Sequence, residues 1–306
     1  MNKEIPVFLF NGFLDSGKTT LIKEIIEGEE AYRGYNTLII ATEDGEVEYD
    51  SKWVEANEVN LEIVLDEEYK DEEYFYKLVK KYNPKQIVIE LNAFVDFEEF
   101  KLPRSFVVYQ EITLFDTSKF ELYYNNMKPL INKMVAYSTL VVFNRTYDNE
   151  NLAKYRRNIR AFNQRCDVAF ENNEGKLTTI LDEDLPYDIN SNEIVIEEKD
   201  FPIWYLDITE CFDNYKDKVI TFNAYVRDVN SNTIVVGRQI MTCCMDDIQF
   251  YGFECITDDY LFNNSFVKVT CTPIKHYSEI AKANVIMLKA ITIEKLEYVD
   301  EEYLEF

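Results

Sequence analysis

Hydrophobic and polar residues along the first half of the chain follow two periods, one typical of buried strands and the other of amphipathic helices. The strand-like runs are residues 6–10, 37–41, 60–65, 86–90, 106–115, 140–143 and 167–170. The helix-like segments are residues 19–27, 72–82, 120–135 and 152–163. This alternation predicts an α/β domain over residues 1–180, a doubly wound, mostly parallel sheet with helices on both faces.

Beyond residue 200 the pattern changes to short strand-like runs that are separated by turn residues. The runs are residues 219–226, 233–241, 248–255, 266–272 and 283–296. Short strands of this kind predict a small all-β, OB-like barrel domain over residues 201–306. The preceding stretch, residues 181–200, is acidic and contains Pro186 and an Asn-Ser-Asn turn, which is typical of a linker.

The boundary between the first strand and the first helix carries a complete phosphate-binding motif. Residues 12–19 read Gly-Phe-Leu-Asp-Ser-Gly-Lys-Thr, the spacing of a P-loop. In such loops backbone N–H groups and a helix N-terminus bind phosphate, while the lysine reaches the β- and γ-phosphates and the threonine hydroxyl suits Mg2+. The expected nucleotide contacts are Gly12, Asp15, Ser16, Gly17, Lys18, Thr19 and Thr20. The alternative, a glycine-rich turn without a ligand, does not account for the whole motif in this context.

A triphosphate site also needs groups that hold Mg2+ and position water, and acidic residues follow three strands that end at one sheet edge. They are Glu43, in a stretch that extends to Asp50, then Glu90 at the end of an aliphatic run, and Asp116. We expect Glu90 to act on Mg2+ or its water, and Lys18 and Asp50 to contribute to catalysis. For each acid the alternative is a solvated loop charge or a helix cap, and Asp116 before a predicted helix fits a cap.

The strand at residues 140–143 is followed by a segment that bears on base recognition. Many GTPases place Asn-Lys-x-Asp here, and its aspartate accepts two hydrogen bonds from guanine. In this chain Asn144 is present, Arg145 replaces the lysine, Tyr147 replaces the aspartate, and Asp148 comes one residue late. Asn144 and Arg145 are therefore candidate nucleotide contacts, while GTP and ATP both stay open.

Three segments together resemble the CobW-type GTPases, which are relatives of the HypB and UreG metallochaperones. Residues 12–21 resemble the family's Gly-Phe-Leu-Gly-Ser-Gly-Lys-Thr-Thr-Leu loop, with Asp15 in place of a glycine. Residues 43–50 are similar to its switch segment. Residues 88–93 resemble its Ile-Glu-x-x-Gly segment, with Ala93 in place of the glycine that senses the γ-phosphate.

This resemblance covers residues 5–170 and implies a P-loop GTPase fold with GTP, Mg2+ and a role in metal homeostasis. The family's Cys-x-Cys-Cys metal motif has no counterpart, because residues 51–86 contain no cysteine. Residues 236–247 resemble the Gly-Arg-x4-Cys-Cys-x2-Asp segment of an uncharacterised bacterial family with an OB-like C-terminal domain. Members of that family are commonly encoded beside predicted permeases. The two resemblances imply a membrane permease or a metal-dependent client protein as partner.

Six cysteines in a chain of 306 residues fit reduced thiols better than a disulfide framework. Cys243 and Cys244 are adjacent, and in a strand their side chains would point to opposite faces. Together with a carboxylate from Asp246 or Asp247, and with His276 as a further candidate, they offer ligands that suit Zn2+. The alternative is a set of buried structural cysteines, which behave as small hydrophobic residues.

The charge balance narrows the choice of partners. The chain has 57 acidic and 32 basic residues, a formal net charge of −25, which disfavours binding to nucleic acid or anionic membranes. The surface would attract cations or a basic partner, or the charge would serve solubility alone. No apolar run approaches the roughly 18 residues of a membrane span. The N-terminus lacks a signal-type block, so we expect a cytoplasmic protein.

These features predict a protein that binds nucleoside triphosphate with Mg2+ and hydrolyses it slowly, with coupling to a partner or metal cargo through the second domain. GTP is favoured over ATP by the resemblance. The alternative is a non-hydrolysing nucleotide-binding scaffold or a regulatory subunit of a permease system. The departures at Asp15, Ala93 and Tyr147 favour that alternative, whereas the intact Lys18 and Thr19 disfavour it.

Overall fold

A computed structural model describes most of the chain. The described residues are 4–28, 36–42, 49–64, 67–146, 152–172, 174–178, 185–230, 232–259, 261–279, 282–297 and 303–306. They fall into two compact units, Met1–Leu181 and Asp182–Phe306, each with its own core. None of the helices within these ranges is long and apolar enough to span a membrane.

The first unit is an α/β fold that contains the predicted alternation of helices and strands and adds a short helix, Ser51–Ala56, and a two-residue strand, Leu177–Thr178, that the pattern did not predict. Its elements are β1 (Ile5–Gly12), α1 (Lys18–Gly28), β2 (Thr37–Ala41), α2 (Ser51–Ala56), β3 (Val59–Ile63), α3 (Glu72–Tyr82), β4 (Gln86–Asn92), β5 (Phe106–Asp116), α4 (Thr117–Val135), β6 (Leu140–Asn144), α5 (Leu152–Phe162), β7 (Asp167–Glu171) and β8 (Leu177–Thr178). The strand order is β3-β2-β4-β1-β5-β6-β7-β8, and every pair except β7–β8 is parallel. The predicted mostly parallel sheet is confirmed.

Both faces of this sheet are covered, which explains why its strands are continuous aliphatic runs and not alternating ones. On β2, Leu38 and Ile40 pack into the cluster that contains Phe75 of α3. The intervening Ile39 packs on the other face, in the cluster that contains Ile22 of α1. Each fully buried aliphatic side chain contributes about 1.5–3 kcal/mol to stability through removal from water.

The position of β1 determines where the P-loop lies. β1 is in the middle of the sheet, between β4 and β5, and Phe10 is paired with Glu90 while Gly12 is paired with Leu114. Parallel strands end at the same edge, so the loop after β1 lies beside Glu90 and the end of β5. That arrangement brings together residues that are far apart in the sequence.

The second unit is built on an all-β sheet, as predicted, and adds one helix that the sequence pattern did not predict. Its elements are β9 (Glu193–Val195), α6 (Phe201–Glu210), β10 (Val219–Arg227), β11 (Thr233–Met241), β12 (Gln249–Ile256), β13 (Phe266–Ser278), β14 (Ala283–Lys295) and β15 (Leu304–Glu305). The strand order is β15-β11-β12-β14-β13-β10-β9, and an additional β10–β11 pairing closes the five strands β10 to β14 into a ring. Within the ring, β12 and β14 are parallel and the other pairs are antiparallel.

The hydrophobic pattern did not predict helix α6, because the sequence of this helix is apolar on nearly all sides. Trp204 is fully buried and its ring contacts Phe222 of β10 and Phe253 of β12. The stretch 181–200, predicted as a linker, includes β9, which pairs with β10. Ile194 of β9 and the following Ile196 are buried in the same core. This part of the stretch is therefore integrated into the second unit's sheet.

Candidate functional site

The loop between β1 and α1 has the tight backbone of a phosphate cradle. A Cβ atom on Gly12 would lie 2.4 Å from Ser16 Oγ and 2.8 Å from the Leu114 carbonyl oxygen. Gly17 has a φ of 94°, and a Cβ there would lie 2.5 Å from Asn144 Nδ2. No larger residue fits at either position without displacement of its neighbours, so the two glycines of the motif are explained by close approach and by backbone conformation.

Lys18 lies inside this loop, at the first position of α1, and is only 2% exposed. Its Nζ donates hydrogen bonds of 3.0 and 2.9 Å to the carbonyl oxygens of Gly12 and Phe13. The ammonium group and the N-terminus of an 11-residue helix therefore face the same volume. Both carry positive charge, and that combination is suited to an anion such as a phosphate group.

The next residue connects the loop to β4. The Thr19 hydroxyl donates a 2.7 Å hydrogen bond to Glu90 Oε1, and the Tyr49 hydroxyl donates one of 2.5 Å to Glu90 Oε2. Glu90 is 3% exposed, and its backbone oxygen accepts from the Thr42 hydroxyl at 3.3 Å. A carboxylate and a threonine hydroxyl in contact are hard oxygen ligands of the kind that Mg2+ prefers. These residues therefore fit the predicted metal role.

Asn144 and Arg145, at the end of β6, hold the P-loop from the other side. Asn144 Nδ2 donates a 2.6 Å hydrogen bond to the Ser16 carbonyl oxygen, and Arg145 Nη1 donates one of 3.1 Å to that of Asp15. Ser16 Oγ and Asn144 Oδ1 are buried without a hydrogen-bond partner among the described residues. Buried polar atoms in proteins nearly always form a hydrogen bond. Two such atoms without a partner beside the loop are therefore available to bind a polar ligand.

Comparisons with known proteins find two family models that match the chain. The model of the CobW/HypB/UreG nucleotide-binding domain matches residues 6–170, more than half of the chain. The chain belongs to the CobW/HypB/UreG family of nucleotide-binding domains. A second model, described as the DUF1980 C-terminal domain, matches residues 172–304. No curated protein matches the chain significantly.

Several solved structures are similar to this CobW/HypB/UreG-family chain at low sequence identity. Zn(II)-bound YjiA GTPase from E. coli is 17% identical, with coverage of 78% of this chain and 86% of that one and a TM-score of 0.44. HypB from Archaeoglobus fulgidus is 16% identical, with coverage of 55% and 80% and a TM-score of 0.40. HypB from Helicobacter pylori in complex with nickel is 10% identical, with coverage of 54% and 78% and a TM-score of 0.39.

Asp116 of the CobW/HypB/UreG-type unit is both a helix cap and an ion-pair partner. Its Oδ1 accepts from the backbone N–H and the hydroxyl of Ser118 at 2.9 and 2.5 Å, which caps α4 as the alternative prediction had it. Its Oδ2 accepts from Arg145 Nη1 at 2.5 Å. Burial opposes ionisation, but the hydrogen bonds from Ser118 and Arg145 outweigh it and hold the pKa of Asp116 below its ordinary value. Asp116 therefore fixes Arg145 against the P-loop.

Other sequence candidates lie at or beyond the margin of this cluster. The Asp50 carboxylate is exposed and caps α2, where it accepts the N–H groups of Lys52 and Trp53, and the Trp53 bond in particular lowers its pKa. Its neighbour Tyr49, which the sequence did not single out, is the residue that contacts Glu90. The position of Tyr49 within residues 43–50, the segment that resembles the family's switch, was the feature of the sequence that could have indicated this contact. Thr20 is exposed on α1.

Asp15 and Ala93 are the two departures from the family's loop and switch segments that the structure describes. Asp15 is exposed and has a φ of 60°, a left-handed backbone conformation that glycine adopts more readily than other residues. The Ala93 backbone N–H donates a 3.1 Å hydrogen bond to the Gly12 carbonyl oxygen. Glu43, Tyr147 and Asp148 lie outside the described residues.

A second cluster follows β11 in the other unit. Ligand atoms of Cys243, Cys244 and Asp247 all lie within 4.8 Å of one another, and the two sulfur atoms are 3.8 Å apart. The expectation of opposite faces does not apply, because β11 ends at Met241 and the cysteines lie in a turn. The Asp247 carboxylate accepts the N–H groups of Thr242, Cys243 and Cys244 at 3.1, 2.7 and 3.3 Å. Burial opposes ionisation of Asp247, but hydrogen bonds from the side chains of Cys243 and Thr242, and then from the N–H groups of Cys243 and Cys244, hold its pKa below the ordinary value.

Cys255 and Cys271 behave as the structural alternative predicts. Both are buried in the core of the second unit, and burial raises the pKa of Cys255 to about 12. Burial also raises the pKa of Cys271 well above the ordinary value for a thiol. A thiol of this kind is not a ready metal ligand, because metals bind the thiolate. Among the described residues of the second unit, the group of potential metal ligands that lie close together is the one in the turn after β11.

Proposed function

We propose that this chain is a cytoplasmic, Mg2+-dependent nucleoside triphosphatase that prefers GTP. The observation that carries the proposal is the 2.7 Å contact of Thr19 with Glu90 directly beside the buried Lys18. A cation for the phosphates and two hard oxygens for a metal meet at one helix N-terminus. Membership of the CobW/HypB/UreG family supports the same reading, since it is a family of nucleotide-binding domains.

Each residue of the cluster has a distinct task in this proposal. Lys18 would exchange its two carbonyl contacts for β- and γ-phosphate oxygens and stabilise the charge that develops on transfer. Thr19 and Glu90 would hold Mg2+, which neutralises phosphate charge when bound. Tyr49 orients the Glu90 carboxylate through its 2.5 Å hydrogen bond. We expect slow turnover, because Arg145 is held by Asp116 and the Asp15 backbone and is not placed to supply a further charge.

A titration with GTP and ATP, each with and without Mg2+, tests the proposal when it is combined with a phosphate-release assay. Wild-type protein should bind GTP more tightly than ATP and release phosphate only with Mg2+. Glu90→Gln should retain nucleotide binding without Mg2+ but lose about 10²-fold or more in phosphate release. Glu254→Gln, an exposed carboxylate of the second unit, is the matched control and should behave as wild type.

The result that contradicts hydrolysis is equally specific. Tight Mg2+-dependent binding with no phosphate release above background would identify the chain as a non-hydrolysing scaffold or a regulatory subunit. Absence of binding to either nucleotide would remove both readings.

Metal handling is a second candidate function, favoured by the juxtaposition of Cys243, Cys244 and Asp247. Two sulfur atoms and a carboxylate are ligands that suit Zn2+, and we propose that the second unit binds the cargo or the client protein. Metal analysis after zinc loading and dialysis should find stoichiometric zinc in wild type and in Cys211→Ser. The double variant Cys243→Ser/Cys244→Ser should lose it. Equal zinc content in all three proteins would exclude this site.

A further inference from the structure

A cavity of about 390 Å3 lies beside β5 in the first unit. Its wall is formed by the segment after β4, by the first half of β5 and by the last turns of α4. The apolar part of that wall includes Phe94, Val95, Leu130 and Met134. Cavities of a few hundred cubic ångströms with an apolar wall and few polar groups are typical of small-molecule sites.

The local course of β5 opens this space. β1 residue Val7 is paired with Val108, but the next residue, Phe8, is paired with Gln110, so Tyr109 is an extra residue in β5. The pairing of β5 with β6 begins at Ile112, so the preceding residues of β5 are paired with β1 on one side only, and Val108 to Glu111 border the cavity. An extra residue of this kind, a β-bulge, changes the direction of the neighbouring side chains, and bulges often occur beside functional sites.

Glu111 is the buried acid among the described residues of this wall. It is 8% exposed and lies two residues before Thr113, whose hydroxyl donates a 3.2 Å hydrogen bond to the Met134 carbonyl oxygen of α4. Alternate residues of a strand share a face, so Glu111 lies on the face that α4 covers. Its backbone oxygen accepts from the N–H and hydroxyl of Thr139, but no described residue donates a hydrogen bond to its carboxylate. Burial alone raises the pKa of Glu111 to about 7.

The other charges around the cavity do not neutralise Glu111. The remaining titratable groups on its wall are Asp96, Glu98, Tyr109, Lys133 and Tyr137. Lys133 is paired with Asp96, and this contact raises the pKa of Lys133 and lowers that of Asp96. Glu98 and the two tyrosines are exposed at the rim. Acidic groups therefore outnumber the basic group, and a bound cation would compensate an isolated buried carboxylate.

The wall is also in contact with the P-loop. The Ala93 backbone N–H donates to the Gly12 carbonyl oxygen at 3.1 Å, and Lys18 donates to the same oxygen. Asn11 lines the cavity, and its Oδ1 accepts the Gly12 N–H at 2.8 Å. The Phe94 ring contacts that of Phe13 with their centres 6.0 Å apart. A ligand that moves Ala93 or Asn11 would therefore move the carbonyl that holds Lys18.

We propose that this cavity binds a small organic cation, an amine or guanidinium group on an apolar body, which pairs with Glu111 and changes the affinity of the P-loop for nucleotide. The apolar body contacts Phe94, Leu130 and Met134, and the charged group donates hydrogen bonds to the Glu111 carboxylate. The binding half of the proposal is independent of nucleotide. The coupling half rests on the proposed nucleotide binding, and the effect is reciprocal by linkage.

Calorimetric titrations without nucleotide test the binding half, with 2-phenylethylamine and phenylguanidine as cations and 2-phenylethanol as the neutral counterpart. At pH 8 each cation should bind wild type about tenfold or more tightly than the alcohol, a preference typical of a charge-assisted hydrogen bond. The preference should weaken by up to about tenfold at pH 6, because Glu111 is then mostly protonated. It should disappear in Glu111→Gln and persist in the control Glu254→Gln.

Leu130→Trp provides a second variant, since it fills the cavity and leaves Glu111 in place. It should lose binding of all three compounds while thermal unfolding shows a folded protein. The proposal is wrong if neither cation binds better than the alcohol at pH 8, or if the preference survives in Glu111→Gln.

The coupling half is measured as the affinity for GTP with and without a saturating concentration of the better-binding cation. We expect a change of about fivefold or more in wild type and none in Glu111→Gln. If wild-type protein binds both GTP and the cation but its GTP affinity is unchanged by the cation, the proposed coupling is wrong. Failure of GTP to bind at all would count against the proposed function, and the cation titrations would still decide the cavity.

Discussion

The P-loop edge of the sheet and the cavity beside β5 share a wall but have opposite charge preferences. At the edge, Lys18 and the α1 N-terminus present positive charge, and polar side chains such as Glu90 and Asn144 are bonded to residues of other elements. In the cavity a buried carboxylate, Glu111, has no donor among the described residues. The edge is organised for an anion, whereas the cavity would be stabilised by a cation.

Two acids on β5 show what makes the difference. Asp116 is 6% exposed and Glu111 is 8% exposed, so both acids are largely removed from solvent. Hydrogen bonds from Ser118 and Arg145 overcome burial and lower the pKa of Asp116, whereas burial alone acts on Glu111 and raises its pKa. Hydrogen-bonding partners, together with depth, therefore decide whether a buried acid is ionised at neutral pH.

The largest expected effect comes from removal of the positive charge at the edge. Lys18→Ala should weaken nucleotide binding by about 10²-fold or more, because charge-assisted hydrogen bonds to two phosphates are lost. Lys77→Ala, an exposed lysine of α3, is the control and should leave the affinity unchanged. Equilibrium binding of GTP by both variants checks this. Retained affinity in Lys18→Ala would show that the edge is not the anion site.

The sequence was sufficient for the P-loop because that motif is local and each position has its own steric or chemical requirement. The parallel sheet was also predicted, since a strand buried on both faces must be continuously apolar. Roles that depend on contacts across the sheet were harder to predict. Asn144 donates a hydrogen bond to the Ser16 carbonyl oxygen, and Tyr49 donates one to Glu90. The partners are far apart in the sequence, so no local motif predicts either contact.

Glu111 could not be identified from the sequence for a related reason. It lies within a strand-like run of mostly apolar residues on β5, and a single acid in such a run does not indicate a functional role. Only the register with β1 and the late start of β6 show that the residue borders a cavity. Helix α6 was missed because an apolar helix in a small core has no amphipathic period.

A smaller effect is expected on stability when the acid in the cavity is neutralised. The folded-state pKa of Glu111, about 7, lies above the ordinary value of 4.5, so the folded protein binds this proton more tightly than the unfolded chain does. Its contribution to the free energy of unfolding is therefore fully present below about 4.5 and is lost as the pH rises through 7. Glu111→Gln should stabilise the protein by on the order of 2 kcal/mol at pH 8 and by little at pH 5.

Urea unfolding at the two pH values measures this difference, with Glu254→Gln as the matched exposed control. A stabilisation of equal size at pH 5 and pH 8 would mean that packing, and not ionisation, distinguishes the variant. The result would then no longer support a difference in charge preference between the cavity and the P-loop edge.

The smallest effect is expected at Asp116, and it separates the ion pair from the helix cap. Asp116 caps α4 and Asp71 caps α3, and asparagine caps helices about as well as aspartate does. Asp71→Asn should therefore leave the free energy of unfolding nearly unchanged at pH 7. Asp116→Asn should lower it by about 1 kcal/mol, since it also loses the charge opposite the half-exposed Arg145.

The pH dependence of the Asp116→Asn effect completes the test. A lowered pKa means that the ionised Asp116 stabilises the fold above the ordinary value of 3.8, and that this contribution is lost as the pH falls through the folded-state pKa. The loss in Asp116→Asn, measured by urea unfolding, should accordingly shrink between pH 7 and pH 3. Equal losses in the Asp116 and Asp71 variants at pH 7 would mean that the cap alone lowers the Asp116 pKa. The absence of a cationic partner would then no longer explain why Glu111, five residues earlier on the same strand, titrates so differently.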